Sequence, residues 1–266
     1  MIPADDIADI LARIVDRRQE RLMEARAEQT YTEPPRNPVF QTPESNRFLA
    51  ALAEQRGRAV IAEVKMGSPS LGSLHDRVDP LRQAMVYAES GAAALSVVVE
   101  PDFFHGSYEM LAACSEASGL PAIAKDFVVD PLQLQWARKA GASAVLLIAA
   151  LYRPPELREL ARLARSCGMV PLIETHDAAD VAKLGDDSWE LVGVNNRDLR
   201  IFETDLGTSI DLLPKLPEGA FKVSESGIHA ASDVAKLRQA GFDAYLIGES
   251  LLTAGDPAAK LQELRG

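Results

Sequence analysis

Lysine and glutamate side chains recur in this sequence at the ends of apolar runs, where a core strand would ordinarily give way to turn residues. "PAIAKDFVVDP" (121–131) puts Lys125 and Asp126 straight after core-type residues. "VIAEVK" (60–65) puts Glu63 and Lys65 two apart, so on a strand both leave one face while Val64 leaves the other. "PLIETHD" (171–177) supplies Glu174 and His176, and "VNNRD" (194–198) supplies Asn195, Asn196 and Arg197. "KVSESGIH" (222–229) brings Ser224, Glu225, Ser226 and Gly227, and "LIGES" (246–250) brings Gly248, Glu249 and Ser250. An ammonium group among carboxylates can move protons on and off a carbonyl substrate. A desolvated lysine could instead form a Schiff base with a ketone, and the same charges could simply pair as a structural ion network. The two glycine-containing turns suit an anion, because backbone N–H groups can approach a phosphate closely there. Glu249 would repel that phosphate unless its side chain turns away, so only its backbone is expected to help.

Such residues need a scaffold that gathers them, and the chain carries a repeated one. "AESGAAALSVVVE" from 88, "RKAGASAVLLIAA" from 138 and "RQAGFDAYLIGES" from 238 each close a helical pattern with Gly91, Gly141 or Gly241 and then enter an apolar strand. Glycine there permits the left-handed conformation that ends a helix. Asp79-Pro80, Asp130-Pro131 and Asp256-Pro257 mark helix starts, each a capping carboxylate followed by proline at the first helical position. Candidate strands fall at 60–64, 94–99, 121–125, 144–149, 169–173, 191–194, 220–223 and 244–247, eight in all, with amphipathic segments between them. Apolar strands alternating with helices imply a parallel sheet covered by helices, and eight units close naturally into an α/β (β/α)8 TIM barrel. A doubly wound open sheet is the rival, since periodicity cannot see closure. Residues 57–266 would form the barrel and residues 1–56 an N-terminal helical extension, the two making one domain: a helical pattern, a "YTEPPRNPVF" connector and a short helix in "PESNRFLAALAEQ". In a barrel the polar residues above, with Glu100 after the second strand, would all gather at the carboxyl ends of the strands, where active sites lie.

Composition narrows the function. The chain has 266 residues, 47% hydrophobic and 25% charged, with a formal charge of −11. That charge repels polyanions, so nucleic acid and anionic membranes are not expected as partners, and a small anionic substrate would need a local positive pocket. Cys114 and Cys167 form neither a disulfide framework nor a metal-ligand spacing. With no long apolar run and no cleavable signal pattern, a cytoplasmic setting is expected. Nothing in the sequence identifies a protein partner.

"VIAEVKMGSPSLG", "FFHGSYEML", "AIAKDFVVDP", "PLIETHD", "LVGVNNRDLRIFETDL", "KVSESGIH" and "LIGESLL", in this order over nearly the whole chain, resemble indole-3-glycerol phosphate synthase. The resemblance implies a (β/α)8 barrel acting in tryptophan biosynthesis without metal or cofactor. Its reaction closes the ring of 1-(2-carboxyphenylamino)-1-deoxyribulose 5-phosphate, losing carbon dioxide and water. By the same resemblance Lys125 is the general acid, aided by a pKa lowered through partial burial. Lys65, oriented by Glu63, holds the substrate carboxylate, and Glu174 is the general base. Asn195 and Arg197 position the substrate, and Glu225 is a carboxylate near the reacting centre. The phosphate lies on Ser68, Gly227, Gly248 and Glu249 with Ser226 beside them, and Pro69, Phe104, Phe127 and Leu146 wall the anthranilate ring.

Some residues read more plainly. Arg197 could pair locally with Asp198, and His176 beside Asp177 reads as leading into a helix rather than as a base. Trp136, Trp189 and both cysteines read as packing residues. Met66, Leu71 and Ala124 stand where the family usually has basic residues, and Val99 where threonine is common, so the first loop is expected to attract a doubly anionic substrate less strongly.

Overall fold

The eight apolar runs pair in parallel and close on themselves. In this computed structural model, which describes residues 9–28, 40–68, 72–74, 78–198 and 203–266, the strands are β1 (Ala59–Val64), β2 (Ala94–Val98), β3 (Ala122–Lys125), β4 (Ala144–Ile148), β5 (Val170–Thr175), β6 (Leu191–Asn195), β7 (Phe221–Glu225) and β8 (Ala244–Ile247). Each pairs with its neighbours in sequence, and β8 returns to β1 with Ala59 opposite Ala244, so the open-sheet rival is overturned. A small antiparallel ladder of Gly67–Ser68 with Gly72–Ser73 stands outside the barrel. Leu71 and Pro69 lie outside the described residues, as does most of the connector.

Three strands run further than the apolar pattern foretold. Glu174 stays in β5 opposite Ile148 and Gly193, and Asn195 and Glu225 pair with each other across β6 and β7. Ladder pairing holds these polar residues on extended backbone, where their side chains are aimed by the pleat rather than by a loop.

The helix punctuation matches the sequence. Around the barrel lie α3 (Pro80–Glu89), α4 (Tyr108–Ser118), α5 (Pro131–Lys139), α6 (Pro154–Ser166), α7 (Ala178–Ala182), α8 (Gly207–Leu212), α9 (Ala231–Ala240), α10 (Glu249–Leu252) and α11 (Pro257–Arg265). The carboxylates of Asp79, Asp130 and Asp256 accept from amides of the first turns of α3, α5 and α11. Gly91, Gly141 and Gly241 take φ of 90°, 82° and 124°, conformations that a Cβ would strain. Trp189 is buried with its Nε1 donating to Leu184 O, and both cysteines are buried and free.

Two helices precede the barrel and work at opposite ends of it. α2 (Arg47–Glu54) buries Phe48, Leu49 and Leu52, while Asn46 Nδ2 donates to Ser143 O and Gly168 O just before β4 and β5. It therefore covers the amino-terminal end. α1 (Asp9–Glu28) instead reaches the segments that follow β2 and β3. Arg18 forks onto Asp126, Arg21 onto Asp102 and Arg26 onto Asp130. The first pair is buried, with both side chains 4% exposed or less, and Asp126 also accepts from Tyr108 Oη at 2.7 Å and Gln133 Nε2 at 2.9 Å. A buried pair of this kind is costly to break from one side, because the remaining charge is stranded. Replacing Arg18 with Met should cost about 3–5 kcal/mol, read as faster amide hydrogen exchange along α1. Unchanged protection there would show that the pair does not hold the helix.

Candidate active site

Inward positions of β1, β3, β5 and β7 supply Glu63, Lys125, Glu174 and Glu225. Side chains from alternate strands of such a barrel share one layer of its interior, and this layer, at the carboxyl end, is charged. Lys125 Nζ lies 3.4 Å from Glu225, 3.7 Å from Glu174 and 3.9 Å from Glu63. Lys65, one step above Glu63 on the same face, pairs with it at 2.8 Å. The strands between leave room for this. A Cβ on Gly193 would sit 2.1 Å from Glu225 Oε1, and one on Gly248 would sit 2.4 Å from Glu63 Oε1. No motif marked Gly193, because its need arises from a side chain on the neighbouring strand.

Three carboxylates around one ammonium must be neutralised in other ways too. Burial opposes the charge of Glu63, but Lys65 and then Lys125 outweigh it and hold its carboxyl below the usual range. Burial pushes Glu225 up to about 8; the adjacent Glu174 carboxylate adds to that push, and Lys125 pulls against it. Glu225 is thus mostly protonated at neutral pH. Glu174 has the imidazole of His176 near it, Nε2 at 3.3 Å from Oε1. For Lys125, burial pulls the ammonium down, yet Glu225, Glu174 and Glu63 together outweigh it and raise the pKa. The expectation of a lowered lysine pKa is therefore corrected: the carboxylates that orient Lys125 also keep it protonated.

A cavity of about 200 Å³ opens over this layer. Glu63, Lys65, Lys125, Glu174, Asn195 and Arg197 reach it, as do Ser68, Ser226, Gly227, Gly248 and Glu249 and the apolar Phe104, Phe127 and Leu146. Glu225 does not; it is fully buried beneath Lys125. Pro69 lies outside the described residues. Glu100 also departs from the expected ring, since its carboxylate turns back to accept from the amides of Asp102, Phe103 and Phe104 and shapes its own loop.

Two turns close one side of the cavity. Ser226 and Gly227 take successive left-handed conformations, φ 65° and 73°. Asn196 holds them there: its Nδ2 lies within hydrogen-bond distance of Ser224 Oγ, Glu225 O and Ser226 O, and its Oδ1 accepts from Ser209 N at 3.0 Å. Ser250 Oγ donates to Ile228 O at 2.8 Å and ties the second turn to the first. Glu249 bends away to meet Arg197 Nη2 at 2.7 Å, so the guanidinium has a partner in the loop after β8. Asn195 Oδ1 accepts from Arg197 N at 3.0 Å and fixes the start of that loop.

The opposite wall is apolar. The rings of Phe104 and Phe127 lie 5.9 Å apart beside Leu146, and Ile10, Leu11 and Ile14 of α1 complete the wall. Sequence reasoning missed these three; their helical periodicity was visible, but not where the helix docks. Met66 and Ala124 are buried, Ala124 on the face of β3 opposite to Lys125. A charge at 124 would not point into the cavity, so that departure bears little on substrate attraction.

Among the cavity's cations, Lys65 is paired with Glu63, Arg197 with Glu249, and Lys125 with the buried layer. Among the described residues, then, each of these lysine and arginine side chains already has an acidic partner. No cluster suited to a metal ion is found among the described residues, and no described helix is long and apolar enough to cross a membrane.

The family model for indole-3-glycerol phosphate synthase matches residues 11–264. An indole-3-glycerol phosphate synthase of Bordetella pertussis is 42% identical over 260 residues, covering 96% of this chain and 98% of the relative. That of Carboxydothermus hydrogenoformans is 46% identical over 206 residues, covering 77% and 78%. Among solved structures, 3-hexulose-6-phosphate synthase from Salmonella typhimurium aligns with a TM-score of 0.61 at 16% identity, over 78% of this chain and 96% of that one. Thiamine phosphate pyrophosphorylase from Pyrococcus furiosus aligns with a TM-score of 0.58 at 12% identity, over 80% and 96%. These two share the fold.

The protonated state of Glu225 has a thermodynamic signature. Its folded pKa of about 8 exceeds the unfolded value of roughly 4.3, so its contribution to stability is full below the unfolded value and is lost as pH rises through the folded one. Glu225→Gln cannot ionise. Its melting temperature relative to the parent should therefore climb between about pH 5 and pH 9; a difference flat with pH would show that Glu225 titrates as an ordinary carboxyl.

Proposed function

Because the chain belongs to the indole-3-glycerol phosphate synthase family, a carboxy-lyase of tryptophan biosynthesis, we propose that the charged layer under the cavity carries the ring closure. The observation on which this rests is one ammonium, Lys125, within 3.4–3.9 Å of three carboxylates at a cavity floor, with a second, Lys65, at the rim. The substrate is the ribulose phosphate that carries a 2-carboxyphenylamino group. Lys65, aimed by Glu63, holds the aryl carboxylate, and the anthranilate ring packs on Phe104, Phe127 and Leu146 with α1 above it. The phosphate lies against the turns at Ser226-Gly227 and Gly248-Glu249, with Ser68 from the first loop.

Lys125 donates a proton to the ketone oxygen as the carboxylate-bearing ring carbon attacks the ketone carbon. Loss of carbon dioxide returns its bonding pair to the ring. The hydroxyl made in the first step then takes a proton from the ammonium of Lys65, freed as the carboxylate leaves, and departs as water while Glu174 takes the proton from the adjacent carbon, and the indole aromatises. Glu225 holds Lys125 in place from below. Asn195 and Arg197 shape the loop that faces the substrate. An ammonium this well surrounded by carboxylates is a firm proton reservoir, and developing negative charge on the ketone oxygen within reach draws its proton across. We also infer a cytoplasmic setting, which the biosynthetic role supports.

The test is incubation with the carboxyphenylamino ribulose phosphate without added metal, following indole fluorescence of the product. Lys125→Met and Glu174→Gln should each lower kcat at least about 10²-fold while substrate binding is retained. A covalent adduct after borohydride treatment, or binding with no turnover by the parent protein, would overturn the assignment.

A further inference from the structure

Glu174 uses its two oxygens differently. Oε2 faces Lys125 at 3.7 Å, and Oε1 faces His176 Nε2 at 3.3 Å. Behind the imidazole, Asp180 Oδ2 lies 3.5 Å from Nδ1 and also accepts the His176 backbone N–H at 3.1 Å. Asp180 is itself 4% exposed, on the first turn of α7, and its other oxygen meets Lys183 Nζ at 3.0 Å. Lys183 in turn donates to Ala149 O at 2.8 Å after β4. The chain of groups thus runs from the cavity floor outward through β5 and α7 to a lysine anchored on the neighbouring unit. His176 does not line the cavity, and among the described residues neither ring nitrogen completes a well-formed hydrogen bond. Charge, not hydrogen bonding, holds the ring in place.

We propose that His176, as an imidazolium held between Glu174 and Asp180, is a positioning residue that fixes Glu174 for proton abstraction. This rests on the assignment of Glu174 as the general base. A carboxylate on a pleated strand can rotate about its side-chain torsions, and Lys125 and the adjacent Glu225 carboxyl meet it from the barrel interior. Lys125 is shared with Glu225 at 3.4 Å and Glu63 at 3.9 Å, so it does not fix one partner alone. An imidazolium on the far side gives Glu174 a second point of attachment and leaves Oε2 toward the substrate. Neutral imidazole would attach it far less firmly. Burial disfavours the charged ring, but Asp180, Glu174 and more distantly Glu225 outweigh burial and raise its pKa.

Three consequences can be read in kcat against pH. The groups facing His176 are Glu174 on its own strand, Asp180 of α7 with Lys183 behind it, and Glu225 across the barrel, which is itself expected to titrate near 8. In the parent, turnover should fall as pH rises through the His176 pKa. Asp180→Asn removes an anion that favours the imidazolium, so the fall should move to lower pH. In His176→Gln that limb should vanish, kcat should drop on the order of tenfold, and KM should stay within about twofold. A limb belonging to Glu225 would stay in place in both variants, and that result would overturn the proposal. So would a folded Asp180→Asn protein with the parental profile, or a His176→Gln protein that changes only in KM. Glu174→Gln, measured in the same series, separates the two assignments. If Glu174→Gln keeps turnover, the base assignment fails; if it is inactive while His176→Gln matches the parent, the positioning role alone fails.

Discussion

The rest of the site depends on a single ammonium group enclosed by three carboxylates in one layer of a closed barrel. Closure is what forces the meeting. Four strands far apart along the chain each contribute one inward side chain at the same height. Such a group of charges in a low-dielectric interior would be untenable if each were free. Two carboxylates have a neutraliser beyond the shared lysine, Lys65 for Glu63 and a bound proton for Glu225, and the imidazole of His176 stands against Glu174.

That arrangement explains features remote in sequence. Gly193 and Gly248 are required not by their own turns but by the carboxylates of Glu225 and Glu63, which fill the space a methyl group would take. Asn196 spends its amide on the backbone of β7 and the following turn, which makes the left-handed pair Ser226-Gly227 sustainable next to Glu225. The Arg197–Glu249 pair joins the loops after β6 and β8. The charged layer at the floor and the two turns at the rim are thus built from one connected set of contacts.

The helices before the barrel add what the barrel lacks. α2 seals the amino-terminal end with apolar side chains. α1 brings Ile10, Leu11 and Ile14 to the cavity wall and is fastened by arginines to aspartates after β2 and β3. One of those aspartates, Asp126, immediately follows Lys125, so docking of α1 and placement of the lysine share a residue. A surface with a formal charge of −11 remains unfavourable to anions at large, and the described lysine and arginine side chains of the cavity are paired with carboxylates.

The sequence alone determined the elements and their order. Aspartate-proline starts, glycine stops and apolar strand runs act within a few residues, and the structure follows them; the resemblance of seven blocks carried the family. It also singled out Lys65, Lys125 and Glu174, because charged residues at the ends of apolar strands break the expected pattern. Tertiary structure alone decided the rest: that Glu225 lies beneath the cavity, that Glu100 turns into its own loop, that Gly193 must lack a side chain, that α1 covers the mouth, and that Lys125 has a raised rather than a lowered pKa. Each of these depends on what stands opposite a residue across the closed barrel. Local pattern records which way a side chain leaves its strand, but the field and the space it meets are set by strands tens of residues away.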